Sequence, residues 1–599
     1  MHWRALPAGD RALLLELEGL AQTLALLARL QAAQAQGLLP GLGAMVPAAR
    51  TLLLEFDAHQ CTAEQLLARV QPLLQQPDAQ PMQGPQEGAA RCVPIPVRYD
   101  GQDLEALAEL LGLSRRELIE RHTGCDYLAA FAGFAPGFVY LAGGHACFAQ
   151  VPRRATPRTR VPAGAVALAG HFSAIYPKAS PGGWQLIGST PCQMWDLQRA
   201  EPALIQPGWR VRFHDLERPG ASISLPPAPP SMPAPPPAPT LQEPTSRAAP
   251  QPSAAYLEVR QPGLQTLLQD GGRLGQTALG VGRSGALDGW AMRAANRCVG
   301  NPPGTPVLEN LLGQLVLAAS GPAVLAVTGA DVPLRIRSAD GRCRQAATGC
   351  ALALDAGDQL ELGSPRAGAR CYVAVRGGLQ APLVLGSAAT DTLAGIGPEP
   401  LAAGARLPLL PAGALGPLLP VDAEGLAWGA AARALPQPGQ TVVLDVLPGP
   451  RADWFGPEAL QLLQDQPWQV TPQSNRVGMR LAGAQPLQRA PQWAGQELPS
   501  EATVAGALQV PAGGQPVLFL ADHPLTGGYP VLAVLASHHL DLAAQIPAHA
   551  QLRFRPIGCW PQAATATNAA TVAAAAAASS AAQADLPTST TITMKETPR

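Results

Sequence analysis

From residue 219 to residue 253 the chain is dominated by Pro, Ala and Ser, with Pro226 to Pro239 as its densest run. Such a segment has no apolar face to bury and favours extended polyproline geometry at about 3.1 Å per residue, so it acts as a semi-rigid tether. Two halves must therefore fold on either side of it. In both, 61 Gly and 64 Pro break the apolar pattern into short runs, which favours many short strands joined by turns over long helices.

Residues 1–88 differ. A strand (12–17), a helical repeat through Leu20, Leu24, Leu27 and Leu30, a second strand (51–56) and a second helix (62–70) predict a small α+β domain. The expected class is mostly β with α+β, arranged as this domain, a β domain over 89–218, the tether 219–253, two β domains over 254–440 and 441–558, and a disordered tail over 559–599. Leu257-Glu-Val and Leu444-Asp-Val echo one another and suggest twin domains meeting near 430–440.

The balance of charge excludes some functions. A net charge of −1 with 14% charged residues lacks the basic excess that phosphate-backbone binding needs, so no nucleic acid is expected. No uninterrupted apolar stretch is long enough to span a membrane, and Glu16 and Glu18 interrupt Leu13-Leu14-Leu15 before a signal core forms. Ten cysteines without a Cys-x-x-Cys pair read as buried thiols of a reducing, cytoplasmic compartment. The ten histidines show no metal-ligand spacing, so no metal is expected. Of the 42 basic residues, Lys178 and Lys595 are the lysines. Neither follows a Walker A spacing, and neither has the flanks of a biotinyl lysine, so covalent biotin is not expected on this chain.

Two segments carry the same design. Val161 to Trp184 and Pro499 to Pro530 each lead an apolar run to a Gly-Gly-aromatic turn that holds a few polar groups. Glycines beside rigid aromatics let a ligand approach the backbone closely, as a pocket wall requires. Around them stand Arg153, Arg154, Arg158, Lys178, Asp270, Arg273, Ser284, Asp288, Ser474, Arg476, Glu501, Gln509, Asp522 and Tyr529, polar groups in otherwise apolar, glycine-rich surroundings. Gly280-Val-Gly-Arg-Ser-Gly285 spells a dinucleotide fingerprint but lacks the preceding parallel strand and the later acidic residue.

Longer motifs carry a resemblance. Phe131-Ala-Gly-Phe-Ala-Pro-Gly, Pro152 to Arg158 and Ile175-Tyr-Pro-Lys-Ala-Ser-Pro-Gly-Gly-Trp resemble the KipI family, the B subunit of bacterial 5-oxoprolinase. Gln269-Asp-Gly-Gly-Arg, Gly282 to Asp288, Pro499 to Pro511 and Thr526-Gly-Gly-Tyr-Pro resemble the KipA family, the C subunit of the same enzyme. The resemblance implies a fusion of the two with cyclophilin-like barrel domains. It would open 5-oxo-L-proline to L-glutamate with ATP, together with a separate A subunit of the LamB/YcsF family. ATP would be bound by this chain or by that partner. In this reading Lys178, Asp522, Glu501 and Tyr529 are catalytic. Arg153, Arg154, Arg158, His171, Tyr176, Asp270, Arg273, Ser284, Asp288, Ser474, Arg476 and Gln509 bind substrate or phosphate. The same modules are similar to the carboxyltransferase part of urea carboxylase and to KipI/KipA regulators of a histidine kinase, which stand as alternatives.

Overall fold

The strand Ala12–Leu17 is buried along its whole length, and that determines how the N-terminal unit sits. The computed structural model describes residues 2–75, 91–218, 255–419 and 435–560, apart from residues 155, 414 and 438. The tether 219–253, the connector before residue 91 and the tail beyond 560 with Lys595 lie outside them. The first unit is an antiparallel sheet in the order Trp3–Pro7, Ala12–Leu17, Thr51–Phe56, Leu42–Pro47. Because side chains alternate along a strand, Leu13, Leu15, Leu52 and Leu54 face the helices Leu20–Ala35 and Ala63–Gln75. Leu14, Leu53 and Val46 face the other way, onto Ala502, Phe519 and Val534. At about 1.5–3 kcal/mol for each fully buried Leu or Val, this second face fastens the N-terminal unit to the far end of the chain.

The next unit runs from Cys92–Val97 to Arg210–Asp215. Counted in chain order, its strands pair as first, ninth, second, third, sixth, fifth, eighth, while the fourth (Arg158–Val161) and seventh (Ser180–Gly182) pair apart. The last unit, from Thr441–Pro448 to Gln551–Pro556, repeats that order strand for strand, with Glu501–Ala502 and Thr526–Gly527 as its detached pair. In both units the first and last strands run parallel. The last unit is a closed barrel, its eighth strand pairing with its first. In the earlier unit reciprocal 2.8 Å bonds between Arg98 and Ser189 make the same junction.

Between the twins lies a unit of two sheets, one of six and one of five strands, from Tyr256–Pro262 to Arg406–Pro408. Leu257, Val259, Leu317, Leu325 and Val373 fill the space between its sheets. The helix Gly289–Cys298 covers its outer face through Ala291, Ala295 and Cys298. The mostly β expectation and the small α+β start hold. The expected twinning does not: the copy of the 441–556 unit is the 92–215 unit, across the tether. Leu257 and Leu444 share a pattern because each lies in the first strand of its unit, Tyr256–Pro262 and Thr441–Pro448, where alternate residues are buried.

Candidate functional site

The twin barrels place one residue each at equivalent addresses. Lys178 stands three residues after the sixth strand Phe172–Ile175, and Asp522 three residues after the sixth strand Val517–Phe519. Both reach a single loop of the middle unit. Lys178 Nζ donates to the Leu393 carbonyl oxygen. Thr392 donates to Asp522 Oδ2 from its backbone N at 2.9 Å and its hydroxyl at 2.7 Å. Asp391 ties the loop into a turn, its Oδ1 accepting from Leu393 N at 3.0 Å and Ala394 N at 2.8 Å, the local bond that makes Asp a turn former.

Ser284 approaches Asp522 from another segment, donating its hydroxyl to Oδ1 at 2.6 Å. Its φ of +54° lies in the left-handed region, which costs a non-glycine residue about 1–2 kcal/mol. The segment is braced from the first barrel: Gly137 N donates to Leu279 O at 3.2 Å. A Cβ on Gly280 would stand 2.8 Å from Ala135 O, so only glycine lets the two backbones come this close.

Charge is arranged unevenly. Asp522 is fully buried; burial alone would raise its pKa, but Arg476 outweighs this and holds the carboxyl below its usual range. Arg476 bonds it at 3.0 and 2.9 Å, gives a third bond to Gly285 O at 2.6 Å, and binds Glu309 with its remaining nitrogen. Glu309 accepts as well from Tyr372 Oη at 2.8 Å and Leu287 N at 2.9 Å. Asp391 shows the opposite shift: burial and the neighbouring Asp522 push its carboxyl up to about 6. Burial lowers the pKa of Lys178, and Asp391 partly opposes that. Carboxyls with pKa values driven apart are the usual material of acid–base chemistry.

Other expected site residues are spent elsewhere. Arg154 Nη1 and Arg158 Nη2 grip Asp103 at 2.8 and 2.7 Å, and the same carboxylate accepts from Leu186 N at 2.7 Å. Arg153 crosses to the last barrel, donating to Leu498 O and Ser500 Oγ, both at 3.2 Å. Glu501 lies with Arg451, Glu16 and Arg50 under the N-terminal sheet. Asp288 caps the helix Gly289–Cys298 by accepting from Ala291 N at 2.9 Å. Asp270 holds Gly272 N, Ser387 Oγ and Ala388 N. Tyr176 packs among Phe134, Phe138 and Trp184, His171 lies against Phe172, and Ser474 accepts from Arg480 N at 3.1 Å. Tyr529 is half-buried within electrostatic reach of Arg489, and Gln509 lies beside Gly527. Arg273, 2% exposed, donates to Val384 O and Ala389 O and leaves Nη1 without a partner.

Asp391, Thr392 and Glu309 are absent from the sequence-based set. Asp391 had the same signal as Asp522, a lone acid in an apolar stretch ending at Gly395 and Gly397. Glu309 had none, because it lies in the strand Val307–Leu311 and only the tertiary fold sets Arg476 against it.

Asp445, His538 and His539 form the one group of metal-ligand type among the described residues. His539 Nδ1 accepts from Asp445 N at 2.8 Å, which leaves the ring proton of the neutral imidazole on Nε2. Arg555 occupies both Asp445 oxygens at 2.5 and 2.9 Å. A cation there would face a guanidinium and lack a His539 lone pair, so the residues do not fit one.

Two family models match, carboxyltransferase domain subdomains C and D over residues 3–205, and subdomains A and B over residues 279–556. The chain is 36% identical over 304 residues to the 5-oxoprolinase C subunit of Escherichia coli strain K12, covering 50% of this chain and 90% of that protein. It is 45% identical over 130 residues to the 5-oxoprolinase B subunit of Escherichia coli O157:H7, covering 21% of this chain and 59% of that one. The solved structure of TTHA0988 superposes with a TM-score of 0.72 at 34% identity, covering 91% of this chain and 99% of that chain.

Proposed function

The chain belongs to the carboxyltransferase-domain family, and from that premise we propose that it is the joined B and C component of a 5-oxoprolinase, opening the lactam of 5-oxo-L-proline to L-glutamate together with a separate A subunit. The observation that carries this reading is the meeting of Lys178 and Asp522, from equivalent loops of unlike halves, on the loop of Asp391. A site built from both halves explains why the B and C components function as a pair, and why joining them in one chain costs nothing in geometry.

A lactam resists water because its nitrogen donates into the carbonyl. Opening it requires charge stabilisation at oxygen and a proton for the departing nitrogen. Phosphorylation of the oxygen by ATP would supply the driving force. The residues present fit a small substrate better than a triphosphate. Arg476, Arg153, Arg154 and Arg158 are all engaged with protein oxygens. What remains near Asp391 is the unpartnered Nη1 of Arg273 and the Lys178 ammonium, enough for one carboxylate. The nucleotide is accordingly assigned to the A subunit. In this reading Lys178 and Arg273 orient the substrate, while Asp522, fixed by Arg476, Ser284 and Thr392, holds the loop and its negative field in place.

The test mixes the purified chain with the A subunit, ATP and 5-oxo-L-proline and measures glutamate. Glutamate that requires both proteins supports the reading. Glutamate without this chain, or carboxyl transfer to urea in its place, refutes it.

A further inference from the structure

Asp391 is 4% exposed, yet only one of its carboxyl oxygens is used. Oδ1 takes the two backbone N–H groups of its own turn. Among the described residues no donor bonds Oδ2. Oδ2 is the part of this carboxyl that is not closed off, so it is the oxygen placed to hold a proton or to face a ligand. The groups around it are named by their bonds to the same loop: Lys178 on Leu393 O, Asp522 on Thr392, and Arg273 on Ala389 O, with Arg476 behind Asp522. Asp522 has every oxygen valence filled by Arg476, Ser284 and Thr392 and is held ionised. Asp391 has a free oxygen next to that fixed negative charge, and of the two only it has room for a proton.

We infer that Asp391 is the proton carrier of this site, giving its Oδ2 proton to the amide nitrogen as the substrate C–N bond breaks. The inference rests on the lactam reading for the identity of that nitrogen. As the bond breaks its electron pair passes to nitrogen, which takes the proton from Asp391. The oxygen of a water molecule forms the new C–O bond, and one of that water's protons returns to Asp391. One C–N bond is exchanged for one C–O bond and the carboxyl ends as it began; the water's second proton passes to solvent, and the phosphoryl group that ATP placed on the carbonyl oxygen leaves as inorganic phosphate when a second water hydrolyses the resulting acyl phosphate. Asp522 keeps the proton on its neighbour by like-charge repulsion, the division of labour seen wherever two acids share a site.

The experiment reads the proton directly. Difference infrared spectroscopy of the full chain without substrate follows the C=O stretch of protonated carboxyls between about pH 5 and about pH 7. A carboxyl titrating at about 6 is expected, and Asp391→Asn removes it while keeping a side-chain acceptor for the turn. In the complete complex Asp391→Asn lowers kcat by at least about 100-fold with KM little changed. If the Asn variant does not fold, Lys178→Met decides, because loss of the nearby ammonium must move the titration to higher pH. No titrating carboxyl, one that survives Asp391→Asn, one unmoved by Lys178→Met, or an Asn variant with undiminished kcat would each overturn the assignment. A wild-type complex that makes no glutamate would sink the lactam reading instead, and the infrared band would still decide whether Asp391 holds the proton.

Discussion

Arg476→Met tests the charge arrangement most sharply. Methionine keeps much of the stem's bulk but removes four hydrogen bonds, two to Asp522 and one each to Glu309 and Gly285 O. Asp522 and Glu309 are 1% and 3% exposed, so both become buried carboxylates without their cation. Breaking a buried pair in this way costs about 3–5 kcal/mol at neutral pH. The sign of the pH dependence also inverts. In the wild type the folded-state pKa of Asp522 is depressed, so its contribution is complete above about pH 4 and is lost as the pH falls further. Without the guanidinium, burial raises the Asp522 carboxyl; the folded variant then binds a proton that the unfolded chain does not. Its deficit should therefore shrink as the pH is lowered from about 7 to about 5. Urea unfolding followed by tryptophan fluorescence suits the measurement, because Trp454 and Trp468 lie in the core of the last barrel. Arg480→Met, at an exposed position on the adjoining strand, serves as control and should move stability by no more than about 0.5 kcal/mol. A loss below about 1 kcal/mol for Arg476→Met, or a deficit that grows on acidification, would refute the reasoning.

Two further outcomes follow from the contacts between units. Burial would raise the Glu16 carboxyl, but Arg451 and Arg4 hold it down to about 2, whereas Glu501, bonded by Arg451, is pushed up by burial. Glu16→Gln should thus cost about 3 kcal/mol at neutral pH and flatten the stability loss that the wild type shows as the pH falls from about 4.5 through about 2, checked by urea unfolding across that range. Cleavage at a protease site inserted within 219–253 should leave two pieces that co-elute on a sizing column, since Tyr140 to Thr526, Arg153 to Ser500 and Lys178 to Leu393 all cross between them. Pieces that elute separately at micromolar concentration would contradict the shared site.

Local rules made much of this fold readable. Ser114 and Glu117, three residues apart, form a capping box at the helix Arg115–Thr123, and Asp288 caps the helix Gly289–Cys298, both by bonds that span three residues. The buried strand 12–17 and the turn glycines were equally legible, because periodicity and φ preference act over a few residues. The partners of charged groups were not. Three guanidiniums in Arg153 to Arg158 look alike in sequence, yet two are consumed by Asp103, more than fifty positions earlier, and the third by the last barrel. Glu501 and Asp522 both read as isolated acids beside glycine, and only the packing sends one beneath the N-terminal sheet and the other to the Asp391 loop. The twin relation was hidden for a similar cause. Strand order is a property of long-range pairing, while the Leu257 and Leu444 echo reports only how any first strand alternates.

The equivalent addresses of Lys178 and Asp522 have a consequence for mate choice. A second copy of the first barrel in place of the last would bring another ammonium to the turn where a carboxylate now stands, so opposite signs at matching addresses favour the pairing of unlike barrels around it.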